Sequence, residues 1–155
     1  MSKHFFWRNL LAGIMLAGGL PQMAFSDSGQ PAASQPITVY KSPSCGCCSK
    51  WVKHLQDSGF EVNAINRNDM NSVKAEAGIP RQLASCHTAV VGGYAIEGHV
   101  PAADIKRLLK ERPAVSGLTA PGMPMGSPGM EGPRRDSYDV LTFTKEGDST
   151  VFSSY

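Results

Sequence analysis

The chain has 155 residues, 41% of them hydrophobic and 18% charged, which suits one small globular domain and excludes a large multidomain assembly. Its formal charge of +2 resides at the amino end: once Lys3 and Arg8 are set aside, the other basic residues balance the 13 acidic ones. A neutral chain with no basic run is poorly built for phosphate contacts, so no nucleic-acid partner is expected.

Lys3 and Arg8 lead into an apolar stretch from Leu10 to Leu20 that closes at Ala24-Phe25-Ser26, a small-x-small cleavage pattern. Residues 1–26 thus read as a secretory signal peptide. No later segment reaches the length of a membrane span and no Cys stands at the cleavage site for a lipid anchor, so the mature form is expected to be soluble. Residues 27–36 are small and polar, a flexible leader.

Ile37-Thr38-Val39-Tyr40 is a β-type run stopped by Ser42-Pro43-Ser44. Cys48, Trp51, Val52 and Leu55 then recur at helical spacing and end at Ser58-Gly59. Residues 60–65 alternate as a half-buried strand, residues 69–77 form a weak helix closed by Gly78, and residues 88–91 form a buried strand. Gly92-Gly93 turns that strand into a hairpin with residues 94–97. Pro101 opens a last helix with Ile105, Leu108 and Leu109 on its apolar stripe. Strand–helix–strand requires a parallel pair, and the closing hairpin adds an antiparallel member. The expected fold is α/β: a thioredoxin-like, mixed four-stranded sheet with flanking helices over residues 37–112. Residues 113–132 are dense in Pro, Gly and Met, which disfavours helix and sheet alike. Residues 138–152 then suggest a C-terminal β-hairpin, so 113–155 reads as a Met-rich loop and hairpin of the same domain.

Three of the four cysteines, Cys45, Cys47 and Cys48, fall within four residues at the start of the first helix. A disulfide inside such a cluster closes almost no loop, which argues against a purely structural staple. The helix amino end favours anions and lowers thiol pKa values, which suits both disulfide exchange and metal binding. Cys45 and Cys48 have the C-x-x-C spacing of thiol oxidoreductases, but Cys47 invites scrambling in a dithiol enzyme and suits a soft metal better. Thiolates select Cu(I), with zinc the main competitor. Zinc sites use two separated pairs, whereas adjacent Cys47 and Cys48 point about 100° apart on a helix and do not readily chelate one ion. Cu(I) accepts low coordination numbers and bridging thiolates, so the cluster has room for more than one copper.

Cys86, just before the strand at Thr88, is the long-range partner that would complete a four-thiolate site; the alternative is a free buried thiol. His87 reads equally as a ligand, a supporting donor or an exposed turn residue. His99 reads as structural, near the start of the next helix, and His54 on the polar side of the first helix receives no role. Met123, Met125 and Met130 sit among Pro and Gly rather than at core spacing. Their thioethers bind Cu(I) without deprotonation, so they are candidates for contacting or delivering copper.

The stretches 40–48 (YKSPSCGCC), 85–94 (SCHTAVVGGY) and 96–101 (IEGHVP), extended by Gly122-Met123-Pro124 and residues 126–130 (GSPGM), resemble the CopG-type family of periplasmic copper-resistance proteins. The resemblance spans roughly residues 37–155. It implies a thioredoxin-like fold, a periplasmic location, copper held by the cysteine cluster, and a place in copper tolerance. Its partners would be copper ions and other periplasmic copper carriers or efflux components. Cys86-His87 stand where thioredoxins carry the proline facing their dithiol, which weighs against ordinary disulfide exchange. The leading expectation is an exported Cu(I)-binding protein whose thiols also exchange electrons with copper. The alternatives are a thiol–disulfide oxidoreductase in which Cys45 attacks and Cys48 resolves, and a zinc-stabilised module.

Overall fold

The computed structural model describes residues 36–155, so the signal peptide expected over 1–26 and nearly all of the leader over 27–36 lie outside the described residues. Strand β1 (Ile37–Lys41) buries Ile37, Val39 and Lys41 and leaves Thr38 and Tyr40 half-exposed, the period of two expected of a strand. Helix α1 (Gly46–Asp57) buries Cys48, Trp51 and Leu55, one stripe at three- and four-residue spacing. It stops where Gly59, at φ +88°, donates to Gln56 O while Phe60 N–H reaches back to Leu55 O. That Schellman arrangement needs the left-handed conformation glycine adopts freely.

Strand β2 (Val62–Asn66) pairs parallel with β1, and α2 (Met70–Glu76) is capped by Asp69, which accepts from the N–H groups of Asn71 and Ser72. A 3-10 turn at Arg81–Leu83 precedes β3 (Thr88–Val91) and β4 (Tyr94–Gly98), joined through Gly92 and Gly93 at φ +57° and +86°. Two consecutive positive φ values are the geometry of a type I′ hairpin turn. Helix α3 (Ala102–Glu111) buries Ala102, Ile105, Leu108 and Leu109 on the sheet. Pro101 is its cap residue and makes no side-chain cap bond; instead Ala102 N–H donates to His54 Nε2 at 3.0 Å. His54 therefore has a structural role that its polar-side position on α1 concealed.

The sheet is larger than the four strands expected. Strands β5 (Gly117–Ala120), β6 (Asp139–Phe143) and β7 (Ser149–Ser154) continue it to seven, in the order β2-β1-β3-β4-β5-β6-β7. The expected helix-and-sheet-free stretch 113–132 thus contains a fully buried strand, β5, which pairs parallel with β4. Gly-Leu-Thr-Ala carries no alternation because both faces are covered, and such strands owe their state to neighbours rather than to propensity. Gly117 approaches the Ala95 backbone so closely that no Cβ fits there. Strands β6 and β7 are antiparallel neighbours within the same sheet. No helix among the described residues is long and apolar enough to cross a membrane.

Candidate metal centre

The α1 amino end and the segment before β3 meet at one point. The sulfurs of Cys45, Cys47, Cys48 and Cys86 all lie within 4.8 Å of one another. Cys45 is the α1 cap residue, its sulfur accepting Cys48 N–H at 3.3 Å. It is half-buried and bonded in a disulfide to fully buried Cys48, while Cys47 and Cys86 are free thiols. Cys47 Sγ stands 3.4 Å from Cys45 Sγ. The adjacent pair does diverge, Cys48 into the core and Cys47 toward the surface, yet their sulfurs remain within reach of one centre.

A second donor group shares Cys86. Its sulfur lies 3.1 Å from His99 Nε2 and 3.4 Å from His87 Nδ1, and the three ligand atoms fall within 4.8 Å of one another. His99, expected to be structural, stands against the thiol. Its Nδ1 lies 2.8 Å from Pro128 O. A carbonyl only accepts, so Nδ1 carries the proton and Nε2 offers a lone pair toward Cys86. Such an outer hydrogen bond fixes ring and tautomer, as it does for metal-ligating histidines. His87 is fully buried rather than exposed in a turn, with its ring 4.3 Å from Trp51 and 4.9 Å from His99. Among the described residues its Nε2 has no hydrogen-bond partner. The nitrogen that faces the thiol is Nδ1, and a buried imidazole held neutral there has the donor chemistry of a metal ligand.

Burial, then the neighbouring Cys47, pushes the Cys86 thiol up to about 11, so it is protonated at neutral pH and can donate to His99 Nε2. Burial also lowers all three described histidines: His87 well below its ordinary 6.5 with His99 and Lys74 adding to the effect, His99 against the pull of Pro128 O and Glu131, and His54 against Glu131 and Asp57. Below pH 6.5 the unfolded chain takes up protons that the folded chain resists. The stability of the metal-free protein is therefore full above about pH 6.5 and is lost as pH falls toward the folded-state values. For His87 alone the slope approaches about 1.4 kcal/mol per pH unit. Urea titrations between pH 5 and 8 test this; a flat profile rejects it.

The Met-bearing loop lies over this centre. Gly129, at φ +84°, sits so close to the first turn of α1 that a Cβ would stand 2.6 Å from Cys47 O and 2.9 Å from Trp51 N. Buried Ser127 accepts from Met130 N–H at 2.8 Å through its carbonyl, and Gly126 N–H donates to Met130 O at 2.8 Å. The loop thus places Pro128 and Gly129 at the site. Of the three methionines, Met123 is 54% exposed, while Met125 and Met130 are half-buried. A groove of about 470 Å³ lined by Tyr40, Arg67, Ser72 and Glu76 shares no residue with the cysteine site.

Residues 83–130, which hold Cys86, both histidines and the methionines, match a family model described as a protein of unknown function, DUF411. None of the curated proteins compared with the chain matches it. Two solved structures are similar to it: Copper resistance protein CopG in Form 2, with a TM-score of 0.75, and in Form 1, with a TM-score of 0.74. Each is 46% identical, and each alignment covers 79% of this chain and 98% of the other. With that identity over nearly the whole of those proteins, and with the cysteines gathered at one point, the chain belongs to the CopG family of copper resistance proteins.

Proposed function

We propose that this protein is an exported, periplasmic copper-handling protein that takes Cu(I) as cargo on Cys45, Cys47, Cys48 and Cys86, with His87 and His99 beside them. The convergence of four sulfurs from two segments of the chain carries this reading. The strand order β2-β1-β3-β4, with the cysteine motif at the β1–α1 junction, supports a thioredoxin-like core within the larger sheet. The signal-peptide pattern of residues 1–26 supports export.

Thiolates and neutral imidazoles suit a soft cation, and a crowded donor set suits more than one. Binding draws the proton off Cys86, so uptake weakens in acid. Cys45 Sγ caps the amino end of α1 and accepts the Cys48 N–H, in the field that favours anions. The Cys45–Cys48 bond withholds two donors until a partner dithiol, itself oxidised to a disulfide, supplies two electrons and two protons. In reverse, the Cys45–Cys48 dithiol reduces two Cu(II) to two Cu(I), releasing two protons as the disulfide forms. Exposed Met123 and half-buried Met125 and Met130 offer thioethers for capture from, or handover to, other copper carriers or efflux components.

One observation favours a second reading. The same disulfide, with Cys45 accessible and Cys48 buried, has the form of an attacking and a resolving thiol in an oxidoreductase. The two separate in one experiment. Anaerobically reduced protein, titrated with Cu(I) against a chromophoric chelator, should bind copper, and each Cys→Ser replacement at 45, 47, 48 or 86 should cost at least about tenfold in affinity. Brisk insulin reduction without copper uptake gives the oxidoreductase reading instead.

A further inference from the structure

Glu97 is fully buried in β4, two residues before His99, and no part of the copper reading uses it. Its carboxylate has three donors. Oε1 accepts Lys74 Nζ at 2.6 Å and the Ser85 N–H at 2.6 Å, and Oε2 accepts the Thr88 hydroxyl at 2.7 Å. Lys74 Nζ also donates to Thr88 Oγ1 at 3.1 Å. Ser85 and Thr88 are the residues immediately before and after Cys86-His87, so one carboxylate brackets that dipeptide from both sides.

The backbone offers little else there. The β3–β4 register ends at Thr88↔Glu97, and one more bond, Gly98 N–H to His87 O at 3.0 Å, follows it. Ser85 N–H is then taken by a charged side chain rather than by a strand. Charge-assisted bonds of this kind are shorter and stronger than neutral ones. The buried anion is paired by Lys74, which reaches it from a helix that buries none of its own residues. The hold extends to the Met-bearing loop, since the Ser85 hydroxyl donates to Gly122 O and Gly122 N–H donates to Ala84 O.

We infer that Glu97 is a positioning residue for the metal centre: by gripping the chain on both sides of Cys86-His87, it sets where Cys86 Sγ stands against His99 and the α1 thiols. The consequence for copper rests on the reading above; the placement of the thiol does not.

The test uses Glu97→Gln, Cys86→Ser and their combination, with Ile105→Val in α3 as a core control. Glu97→Gln should lower Cu(I) affinity about 10- to 100-fold, the usual cost of losing an outer support. That loss should vanish in the Cys86→Ser background, because the support then has nothing to place. In reduced, metal-free protein, iodoacetamide should modify Cys86 several-fold faster relative to Cys47 in the Gln variant. Ile105→Val should lower thermal stability and show neither effect. Should the Gln variant fail to fold, Glu97→Asp keeps the charge but falls about 1.5 Å short, one C–C bond, and is expected to behave likewise. Unchanged affinity and alkylation, or a loss of equal size with and without Cys86, overturns the inference. If the unaltered protein binds no Cu(I), the copper reading fails and the alkylation ratio alone decides the positioning role.

Discussion

Trp51→Ala is expected to destabilise the protein by about 3–5 kcal/mol, the range for deleting a buried aromatic side chain. Trp51 is fully buried at the centre of the α1 stripe. Its indole N–H donates to Val100 O at 2.9 Å, and its ring packs on His87. The replacement therefore opens a cavity and strands a buried carbonyl in the residue that follows His99. Trp51→Phe separates the two effects, because it keeps most of the ring and removes the donor, at a cost of about 1–3 kcal/mol. Chemical denaturation of both variants measures the split. A Phe variant as stable as the original would show that the bond to Val100 contributes nothing.

Gly129→Ala should have the next largest effect. Left-handed backbone costs an L-residue about 1–2 kcal/mol. Overpacking against immobile backbone costs about 1–3 kcal/mol more. The three backbone atoms facing the new methyl group belong to α1 and cannot rotate aside. The loop is the weaker partner, so it should lift off. Pro128 O then leaves His99 Nδ1, and the amides of Gly126 and Met130 lose hydrogen-exchange protection. Cu(I) affinity should fall about tenfold with the orienting bond. Protection and affinity that both stay at their original values would mean that the loop does not seal the centre.

The position of His99 was legible, although composition and spacing make it look structural. A two-residue turn at Gly92-Gly93 fixes an antiparallel register that pairs Thr88 with Glu97. Carried two residues further, the same register sets Cys86 opposite His99. The signal lay in the turn rather than in the histidine. His87 was harder to place, because whether a residue beside a turn is buried depends on Trp51, thirty-six residues earlier in the chain. Glu97 resembled any polar residue on an alternating strand, and only the arrival of Lys74 from α2 makes its burial intelligible.

Periodic signals survive in one dimension because burial of a single face imposes them on nearby residues. The helical stripe of Cys48, Trp51 and Leu55, the hairpin glycines and the cysteine cluster at a helix amino end were therefore readable from the amino-acid order, and with them the family. Nothing local marks Gly117–Ala120 as a strand, Pro128 as the carbonyl that fixes a tautomer, or Gly129 as the seal on α1. Those assignments depend on which surfaces meet. Pairing with β4 supplies the hydrogen bonds that the β5 sequence does not request, and the tight approach of loop to helix leaves room for hydrogen alone.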